Sequence, residues 1–330
     1  MRPDEEPMRR ALVVGRGSRR LAPPNPWVGC VVDGGSWTTE GATQAPGGDH
    51  AEIVALAAAG DRARGATLYA TLEPCSHHGR TPPCVTAIIA AGVRRVVVGV
   101  EDPDARVSGA GITRLREAGI QVEVGVCAEE IRRDLAPYLK HRTTGRPWVV
   151  LKLASSLDGR TAAPDGSSRW ITGEEARTDA HRLRADSDAV LVGAGTVRAD
   201  DPSLTVRLVD GDDPQRVVLG AIPAAAKVRP ALELTGDLDD VLGELGRRDI
   251  LQVLVEGGAS VAHAFHTAGL VDRYVVYFAP ALFGGDDGRP VFAGAGAPTI
   301  DDVWRGTIVS VERLGADLRV DLEPATGTAA

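Results

Sequence analysis

The amino-acid sequence predicts an α/β protein built from two domains, and three observations support this fold class. The chain has 330 residues, about twice the length of a typical domain, and is 43% hydrophobic and 25% charged, as ordinary globular proteins are. Candidate strands and helices alternate along both halves, which is typical of layered α/β domains. A polar segment with Gly and Pro at 140–147 separates the halves, so we expect domains at 1–145 and 146–330.

The first half begins with a candidate helix and then alternates strands with helices. A β-branched strand follows the proline-rich turn at 23–26, and an alanine-rich helix is closed by Gly60. The glycine-rich segment between this strand and this helix is expected to be a loop. We expect helices over 8–20, 50–59, 85–91 and 112–118, and strands over 28–32, 67–72, 94–100 and 121–126.

The second half repeats the alternation and closes with a pair of strands. Apolar, β-branched runs predict strands over 148–154, 189–193, 216–219, 251–256 and 274–279, with helices between several of them. The closing strands, 308–313 and 317–322, flank a turn at Gly315. The two halves share no motif and show no internal repeat, so we treat them as different domains.

Charge and hydropathy exclude several classes of function. The net charge is −8 and no basic run is present, which disfavours nucleic acid and anionic membranes as partners. No segment reaches the roughly 18 consecutive apolar residues that a spanning helix needs. Residues 1–7 are acidic and contain two prolines, so we expect no secretory signal and a cytoplasmic location. Four cysteines in such a chain favour metal ligation, catalysis or burial over disulfides.

The strongest chemical signal in the first half is a set of candidate zinc ligands. His50 precedes a predicted helix, and Cys75 and Cys84 follow a predicted strand. Three protein ligands leave one tetrahedral position for water, which is the catalytic arrangement of Zn²⁺. Glu52, two residues after the histidine, is placed to collect the proton of that water and pass it to a leaving amine. The alternative interpretation is a solvated helix start and two core cysteines; core burial is the expectation for Cys30 and Cys127.

The first half resembles the bifunctional riboflavin-biosynthesis deaminase/reductase family. The resemblance rests on TLEPCSHHGRTPPC at 71–84, NPWVG at 25–29 and HAE at 50–52. It implies a cytidine-deaminase-like three-layer sandwich in which His50, Cys75 and Cys84 bind Zn²⁺ and Glu52 shuttles protons. It further implies that Asn25 contacts the pyrimidine.

Eight residues separate the two cysteines, instead of the two in the usual deaminase signature. Within this insertion, His77 and Arg80 either contact substrate or belong to a solvated loop, and Arg80 is suited to a phosphate. Thr43 stands where many relatives have histidine, which leaves the substrate contacts at that position open.

Glycines in the second half suggest a nucleotide-binding site, although they do not complete the Rossmann motif. Gly193 and Gly195 follow one predicted strand, and Gly257 and Gly258 follow another and open a helix, so the backbone could approach a phosphate there. The third glycine of a Rossmann motif is replaced by Arg198, and tight strand–helix turns are the alternative interpretation.

Lys152 is a candidate catalytic residue on the strand that opens the second half. It is one of three lysines against 34 arginines, and it interrupts a run that otherwise looks buried. We expect its ammonium to face a cleft or a carboxylate. An edge-strand lysine or a structural ion pair is the alternative.

The second half resembles the reductase half of the same family. The resemblance rests on LKLASSLDGR at 151–160, WIT at 170–172, GTVRADDPSLTVR at 195–207 and VEGG at 255–258. It implies a dihydrofolate-reductase-like α/β domain that binds NADPH. The implied NADPH contacts are Ala154, Trp170, Thr196, Asp200, Gly258, Ala259, Ser260, Val261, Ala262, His263 and Ala264. The implied substrate contacts are Ser168, Arg184, Leu204, Arg207 and Glu256, of which the arginines suit a sugar phosphate and Glu256 suits hydroxyls. The segment 209–251 is shorter than in relatives.

The two resemblances together imply two consecutive steps of riboflavin synthesis on one small phosphorylated pyrimidine. The first half is expected to deaminate the ring with Zn²⁺, and the second to reduce the ribosyl group with NADPH, with Lys152 assisting near C1′. Homo-oligomers are implied by the family only. One alternative is a nucleobase or nucleoside deaminase fused to an unrelated reductase. Another is a non-catalytic, dinucleotide-sensing protein with a structural zinc site.

Overall fold

The computed structural model of the chain describes residues 3–77, 82–104 and 107–325, and divides it into two compact units. The units are Met1–Arg146 and Pro147–Ala330. Each has its own sheet and its own core, as the two α/β patterns in the sequence predict. Among the described residues, no helix combines the length and the apolar character needed to cross a bilayer.

The first unit is a mixed five-stranded sheet with helices. Its strands are β1 (Gly29–Asp33), β2 (Thr38–Ala42), β3 (Thr67–Leu72), β4 (Arg95–Val100) and β5 (Gln121–Val124). Its helices are α1 (Glu5–Arg16), α2 (Ala51–Ala59), α3 (Cys84–Ala91), α4 (Ala110–Glu117), α5 (Ala128–Asp134) and α6 (Ala136–Thr144), with a 3₁₀ turn at Gly60–Ala63. The strand order is β2-β1-β3-β4-β5. Strand β1 is antiparallel to both neighbours, whereas β3, β4 and β5 are parallel.

Two glycines show that helices cover both faces of this sheet. Gly29 pairs with Ala42 and the next residue of β1, Cys30, pairs with Gly41, so the two glycines face opposite sides. A Cβ on Gly29 would collide with the carbonyl oxygen of Ala11 in α1, and one on Gly41 would collide with that of Ala51 in α2. Helices α1 and α2 therefore pack directly on opposite faces, which makes the unit a three-layer sandwich.

Several elements of the first unit differ from the sequence prediction. Strand β2 occupies part of the expected glycine-rich loop, where its antiparallel pairing with β1 satisfies its backbone. Helix α6 extends through 140–144 of the expected linker and ends at Gly145 in a left-handed conformation. Helix α1 begins at Glu5, earlier than expected, because Glu5 and Glu6 favour a first helical turn.

The second unit contains an eight-stranded sheet and a separate two-stranded sheet. Its strands are β6 (Trp148–Ser156), β7 (Arg160–Ala162), β8 (Ala189–Gly193), β9 (Gln215–Leu219), β10 (Leu232–Leu234), β11 (Gln252–Val255), β12 (Arg273–Ala279), β13 (Arg289–Pro290), β14 (Gly306–Leu314) and β15 (Asp317–Pro324). Its helices are α7 (Glu174–Ala185), α8 (Ala194–Asp200), α9 (Leu238–Arg247) and α10 (Ala259–Thr267). The large sheet has the order β10-β9-β8-β11-β6-β12-β15-β14, and β13 pairs with β7.

The parallel strands at the centre of the large sheet are buried on both faces. Strands β10, β9, β8, β11, β6 and β12 run parallel, and β15 and β14 complete the sheet in antiparallel fashion. Leu191 packs in a core with Leu242 and Phe265 from α9 and α10. Its neighbour Val192 packs on the other face with Val197 of α8. This two-sided burial explains the continuous apolar runs that predicted the strands.

The close approach of α1 to β1 gives a testable expectation for stability. Gly29→Ala places a methyl group against the Ala11 carbonyl, so we expect the free energy of unfolding to fall by about 1–3 kcal/mol. Gly243→Ala in α9 is the control, since its Cβ would meet only the end of the Arg247 side chain. Urea denaturation followed by circular dichroism measures both changes, and equal stabilities of the two variants would contradict the packing argument.

Candidate functional site

The three expected metal ligands converge in the first unit. His50 caps the start of α2, Cys84 is the first residue of α3, and Cys75 follows β3. His50 Nδ1 lies 3.6 Å from Cys75 Sγ and 3.3 Å from Cys84 Sγ. A tetrahedral zinc ion with ordinary Zn–S and Zn–N bonds separates its sulfur and nitrogen ligands by about 3.5 Å. The donor types and their spacing therefore fit Zn²⁺.

The beginning of α3 stabilises a thiolate at Cys75. The Cys84 N–H donates to Cys75 Sγ at 3.3 Å, and the Val85 N–H donates to the Cys75 carbonyl at 3.2 Å. Hydrogen bonds from Cys84 and then His50 lower the pKa of Cys75 to about 4, against the opposing effect of its burial. A thiol that ionises readily is the form that binds a metal ion.

Glu52 lies beside the three ligands but is not one of the metal-binding group. Its side chain is buried in the first turn of α2. Burial, followed by the charge of Cys75, raises the pKa of the Glu52 carboxyl above its ordinary value. A carboxyl group with a raised pKa exchanges protons more easily near neutral pH.

The remaining cysteines lie outside this group. Cys30 is fully buried in β1, and burial raises the pKa of its thiol. Cys127 is only half-buried, so the prediction of core burial was wrong for this residue. It caps the start of α5 instead of lying within a strand.

The other expected residues of the first half lie near the start of β1 and in the insertion between the cysteines. Asn25 is half-buried, and Arg142 Nη2 donates to the preceding carbonyl of Pro24 at 3.2 Å. His77 is half-buried, and its Nδ1 is buried with no hydrogen-bond partner among the described residues. Arg80 lies outside the described residues. The Thr43 hydroxyl accepts the Val28 N–H at 3.1 Å, so this buried side chain supports the backbone of the strand.

In the second unit, adjacent parallel strands β8 and β11 present their carboxyl ends to the starts of α8 and α10. The Gly258 N–H donates to Thr196 Oγ1 at 3.2 Å and links the two turns. A Cβ on Gly193 or Gly257 would press on Val261, so these glycines serve strand–helix packing. A Cβ on Gly195 would meet no atom within 4 Å, which leaves open space beside that glycine. This edge is where open α/β sheets bind nucleotides.

The expected NADPH contacts differ in how much of each side chain is accessible. Trp170 is 70% exposed, with the Arg177 guanidinium 4.7 Å from its ring centroid. Ala154 is half-buried on β6, and Asp200 is exposed at the end of α8. Within α10, Ala262 is fully buried and its N–H is bonded to Gly258, so Ala262 belongs to the core. Ala259, Val261 and His263 are half-buried, and Ser260 and Ala264 are exposed.

A buried charge cluster lies at the carboxyl end of β11. Arg184 of α7 binds Glu256 through two hydrogen bonds of 2.5 and 2.9 Å, and its Nη1 donates to the Thr205 carbonyl. Lys152 Nζ lies 4.0 Å from Glu256 Oε2. Burial acts to raise the pKa of Glu256, but the charge and hydrogen bonds of Arg184 outweigh it and the pKa is lowered. The Lys152 pKa is lowered by burial, which the charge of Glu256 only partly opposes.

The other expected substrate contacts of the second half differ in their surroundings. Arg207 is exposed, and its Nη1 donates to the hydroxyls of Thr205, at 2.7 Å, and Ser203. Ser168 is exposed, whereas Leu204 is 4% exposed and packs in the core beside α8.

Sequence reasoning missed two buried residues that organise these sites. Glu73, inside the 71–84 motif, is buried and accepts several backbone N–H groups. His181 of α7 is also buried, and its Nδ1 accepts the Arg207 N–H at 3.1 Å. The hydrogen-bond partners of Glu73 and of His181 are distant from them in sequence. The only local signal was the position of Glu73 within the 71–84 motif.

Comparisons with known families agree with the division into two units. Residues 1–100 match the family described as the cytidine and deoxycytidylate deaminase zinc-binding region. Residues 147–320 match the family described as the RibD C-terminal domain. The first description names a zinc-binding region, in agreement with the donor set at His50, Cys75 and Cys84.

Full-length relatives extend this similarity across nearly the whole chain. The chain is 46% identical over 315 residues to the riboflavin biosynthesis protein RibD of Mycobacterium tuberculosis, which covers 91% of each chain. It is 39% identical over 363 residues to RibD of Escherichia coli, covering 97% of this chain and 99% of that protein.

Solved structures show the same overall architecture. RibD of Acinetobacter baumannii is 39% identical with a TM-score of 0.92, covering 97% of this chain and 98% of that one. A Thermotoga maritima diaminohydroxyphosphoribosylaminopyrimidine deaminase/5-amino-6-(5-phosphoribosylamino)uracil reductase is 35% identical with a TM-score of 0.89, at the same coverage. These similarities confirm the expected fold class, a cytidine-deaminase-like three-layer sandwich followed by a dihydrofolate-reductase-like α/β domain.

The buried ion pair in the second unit gives an expectation for a double variant. Arg184→Leu leaves the Glu256 carboxylate buried without its strongest partner, so we expect the free energy of unfolding to fall by about 3–5 kcal/mol. Arg184→Leu combined with Glu256→Leu removes both charges and should be less destabilised. Urea denaturation of the three proteins measures this, and a double variant as unstable as the single one would refute it.

His181 gives an expectation for pH. Burial, followed by the positive charges of Arg184 and Arg207, lowers the pKa of His181 to about 4. An unfolded histidine takes up its proton at a pH of about 6.5, so the unfolded state binds more protons between these values and stability falls as the pH falls. His181→Gln keeps an acceptor for the Arg207 N–H and removes this contribution. Wild type should therefore lose more stability than the variant between about pH 7 and about pH 4.5; parallel denaturation curves would argue against it.

Proposed function

The chain belongs to the RibD family of riboflavin biosynthesis proteins and is a bifunctional deaminase and reductase, and we propose that the residues described above catalyse its two consecutive steps. The first step is the hydrolytic deamination of 2,5-diamino-6-ribosylamino-4(3H)-pyrimidinone 5′-phosphate. The second is the reduction of the ribosyl group of 5-amino-6-(5-phosphoribosylamino)uracil to ribityl. The observation that carries the proposal is the convergence of His50, Cys75 and Cys84 beside the buried carboxyl of Glu52.

The first unit provides the residues for deamination. His50, Cys75 and Cys84 hold Zn²⁺, which when bound supplies a Lewis acid that brings the pKa of a water molecule close to neutrality. The Glu52 carboxylate accepts a proton and passes it to the leaving amino nitrogen, which departs as ammonia. The raised pKa of Glu52 suits this residue both to accept the proton and to donate it to the amino nitrogen.

Residues that precede β1 and residues in the insertion between the cysteines orient the substrate. Asn25 binds the pyrimidine, in a loop that Arg142 holds through the Pro24 carbonyl. His77 supplies a ring nitrogen whose hydrogen-bonding capacity no described residue uses. Arg80 binds the phosphate as a planar, permanently charged donor.

The second unit provides the residues for reduction. When bound, NADPH supplies the hydride that reduces C1′ of the open-chain substrate. Lys152 donates a proton to the nitrogen on C1′, which its lowered pKa favours. Glu256 orients the Lys152 ammonium and binds substrate hydroxyls, and Arg207, with a largely exposed guanidinium, binds the phosphate.

The nicotinamide nucleotide lies along the edge formed by the starts of α8 and α10. Thr196 and Gly258 join the two turns, and the space beside Gly195 accommodates a phosphate. Trp170 offers an exposed ring to the cofactor. We place the enzyme in the cytoplasm. Its substrate is a small phosphorylated pyrimidine and not a polymeric nucleic acid, since a net charge of −8 opposes binding of a polyanion.

A pair of substitutions separates the two activities. Glu52→Gln removes the proton carrier, so ammonia release should fall by about 10²-fold or more, while NADPH oxidation on the deaminated substrate is retained. Lys152→Met should show the reverse pattern. The measurement follows ammonia release from the diaminopyrimidine phosphate, and NADPH oxidation with the deaminated product as substrate, in zinc-replete protein.

Glu117→Gln, an exposed carboxylate of α4, is the matched control and should leave both activities unchanged. Ammonia release without NADPH oxidation by wild type would show that the second unit has been misassigned. Activity on cytidine or guanine but not on the phosphorylated intermediate would favour a deaminase of free bases or nucleosides.

A further inference from the structure

Glu73 is a buried carboxylate that no step of the proposed reaction uses. It follows β3 directly and is 4% exposed. Its Oε2 accepts the N–H groups of Asp102, at 3.2 Å, and Gly109, at 2.9 Å. Its Oε1 accepts those of Gly111, at 2.9 Å, and Ile112, at 3.1 Å. Four amide dipoles thus neutralise one carboxylate that water does not reach.

Three of the four amides belong to the glycine-containing turn at 109–112, which opens α4 and resembles an anion-binding loop. Gly109 has a φ of 79°, a left-handed conformation that glycine adopts without strain, and it caps the start of α4. A Cβ on Gly111 would collide with the carbonyl oxygen of Pro74, so the turn approaches the 73–75 segment as closely as glycine allows. The turn has the form of a phosphate-binding loop, but its anion is a side chain of the same chain.

The same segment is fixed on its other side by α3 and α4. The Cys75 carbonyl accepts the Val85 N–H at 3.2 Å, and the Ser76 carbonyl accepts Arg114 Nη1 at 2.9 Å. Cys75 therefore lies between the Glu73 carboxylate and the beginning of α3. A lateral shift of Glu73 would move the sulfur of Cys75, which is two residues away, relative to His50 and Cys84.

We propose that Glu73 is a positioning residue for the metal centre: its carboxylate binds the turn at 109–112 and the Asp102 N–H, and thereby sets the position of the Cys75 thiolate. This inference rests on the proposed function for its activity readout, but not for its metal readout. Groups that orient a metal ligand contribute to metal affinity and to activity although they do not touch the ion.

The isosteric variant Glu73→Gln distinguishes positioning from simple packing. Each carboxylate oxygen accepts two N–H groups, so an amide NH₂ in place of one oxygen faces two donors and can accept from neither. The volume of the side chain stays the same. The variant therefore removes the acceptor for two of the four N–H groups without creating a cavity.

The experiment measures Zn²⁺ loss to a chromogenic chelator, thermal unfolding and ammonia release for wild type and Glu73→Gln. The structural control is Asp134→Asn, since this carboxylate, whose side chain is 7% exposed, binds Trp27 Nε1 at 3.0 Å and Arg16 Nε at 2.7 Å, and neither partner is a metal ligand. We expect Glu73→Gln to lose Zn²⁺ at least about tenfold faster than wild type and to lower kcat for ammonia release by a similar factor, with the KM little changed. Asp134→Asn should lower the melting temperature and keep wild-type Zn²⁺ retention.

A second variant guards against misfolding of the first. Glu73→Ala leaves the four amides without an anion, and added formate should slow Zn²⁺ loss in this variant but not in wild type. Wild-type Zn²⁺ retention in Glu73→Gln, or faster loss in Glu73→Ala that formate does not change, would overturn the positioning role. If wild type released no ammonia, the proposed function would fail, while the comparison of Zn²⁺ retention would still decide the role of Glu73.

Discussion

A carboxylate removed from water must be neutralised by fixed donors, and this requirement organises both units. Glu73 follows β3 and Glu256, whose side chain is 8% exposed, follows β11, so each carboxylate lies at the carboxyl end of a parallel strand. Glu73 is held by four backbone amides, whereas Glu256 is held by the guanidinium of Arg184. In both units the groups that meet the charge come from a distant segment, and that segment is thereby fixed beside the reactive residues.

The choice of donor has consequences for the neighbouring proton-transfer groups. Arg184 binds Glu256 at 2.5 and 2.9 Å, and Lys152 is left 4.0 Å away. Burial lowers the pKa of Lys152, the charge of Glu256 opposes this, and the positive charge of Arg184 lowers the pKa further. In the first unit the amides around Glu73 carry no net charge. Glu52 is buried near the Cys75 thiolate, and desolvation is the largest cause that raises its pKa.

Local features of the sequence predicted the central strands and the metal ligands, while long-range pairing decided the rest. Strands β3, β4 and β8 are apolar and β-branched, and the candidate ligands lie in two short motifs, at 50–52 and 71–84. Strand β2 reads TTEGA, which has no apolar alternation, and only its pairing with β1 makes it a strand. The amides that bind Glu73 lie 29 to 39 residues away, and Arg184 and Glu256 are 72 residues apart. A window short enough to predict a helix or a strand therefore never contains both partners.

Two short glycine motifs show why pattern alone could not assign a ligand. Gly109-Ala110-Gly111 and Gly193-Ala194-Gly195 share the same three letters, and each opens a helix. The first turn surrounds the Glu73 carboxylate, which supplies its anion from within the chain. In the second, Gly193 packs on Val261 and Gly195 faces open space. A glycine turn is available to an external phosphate only where the fold leaves its amides unoccupied, and that depends on which strand end the turn is packed against.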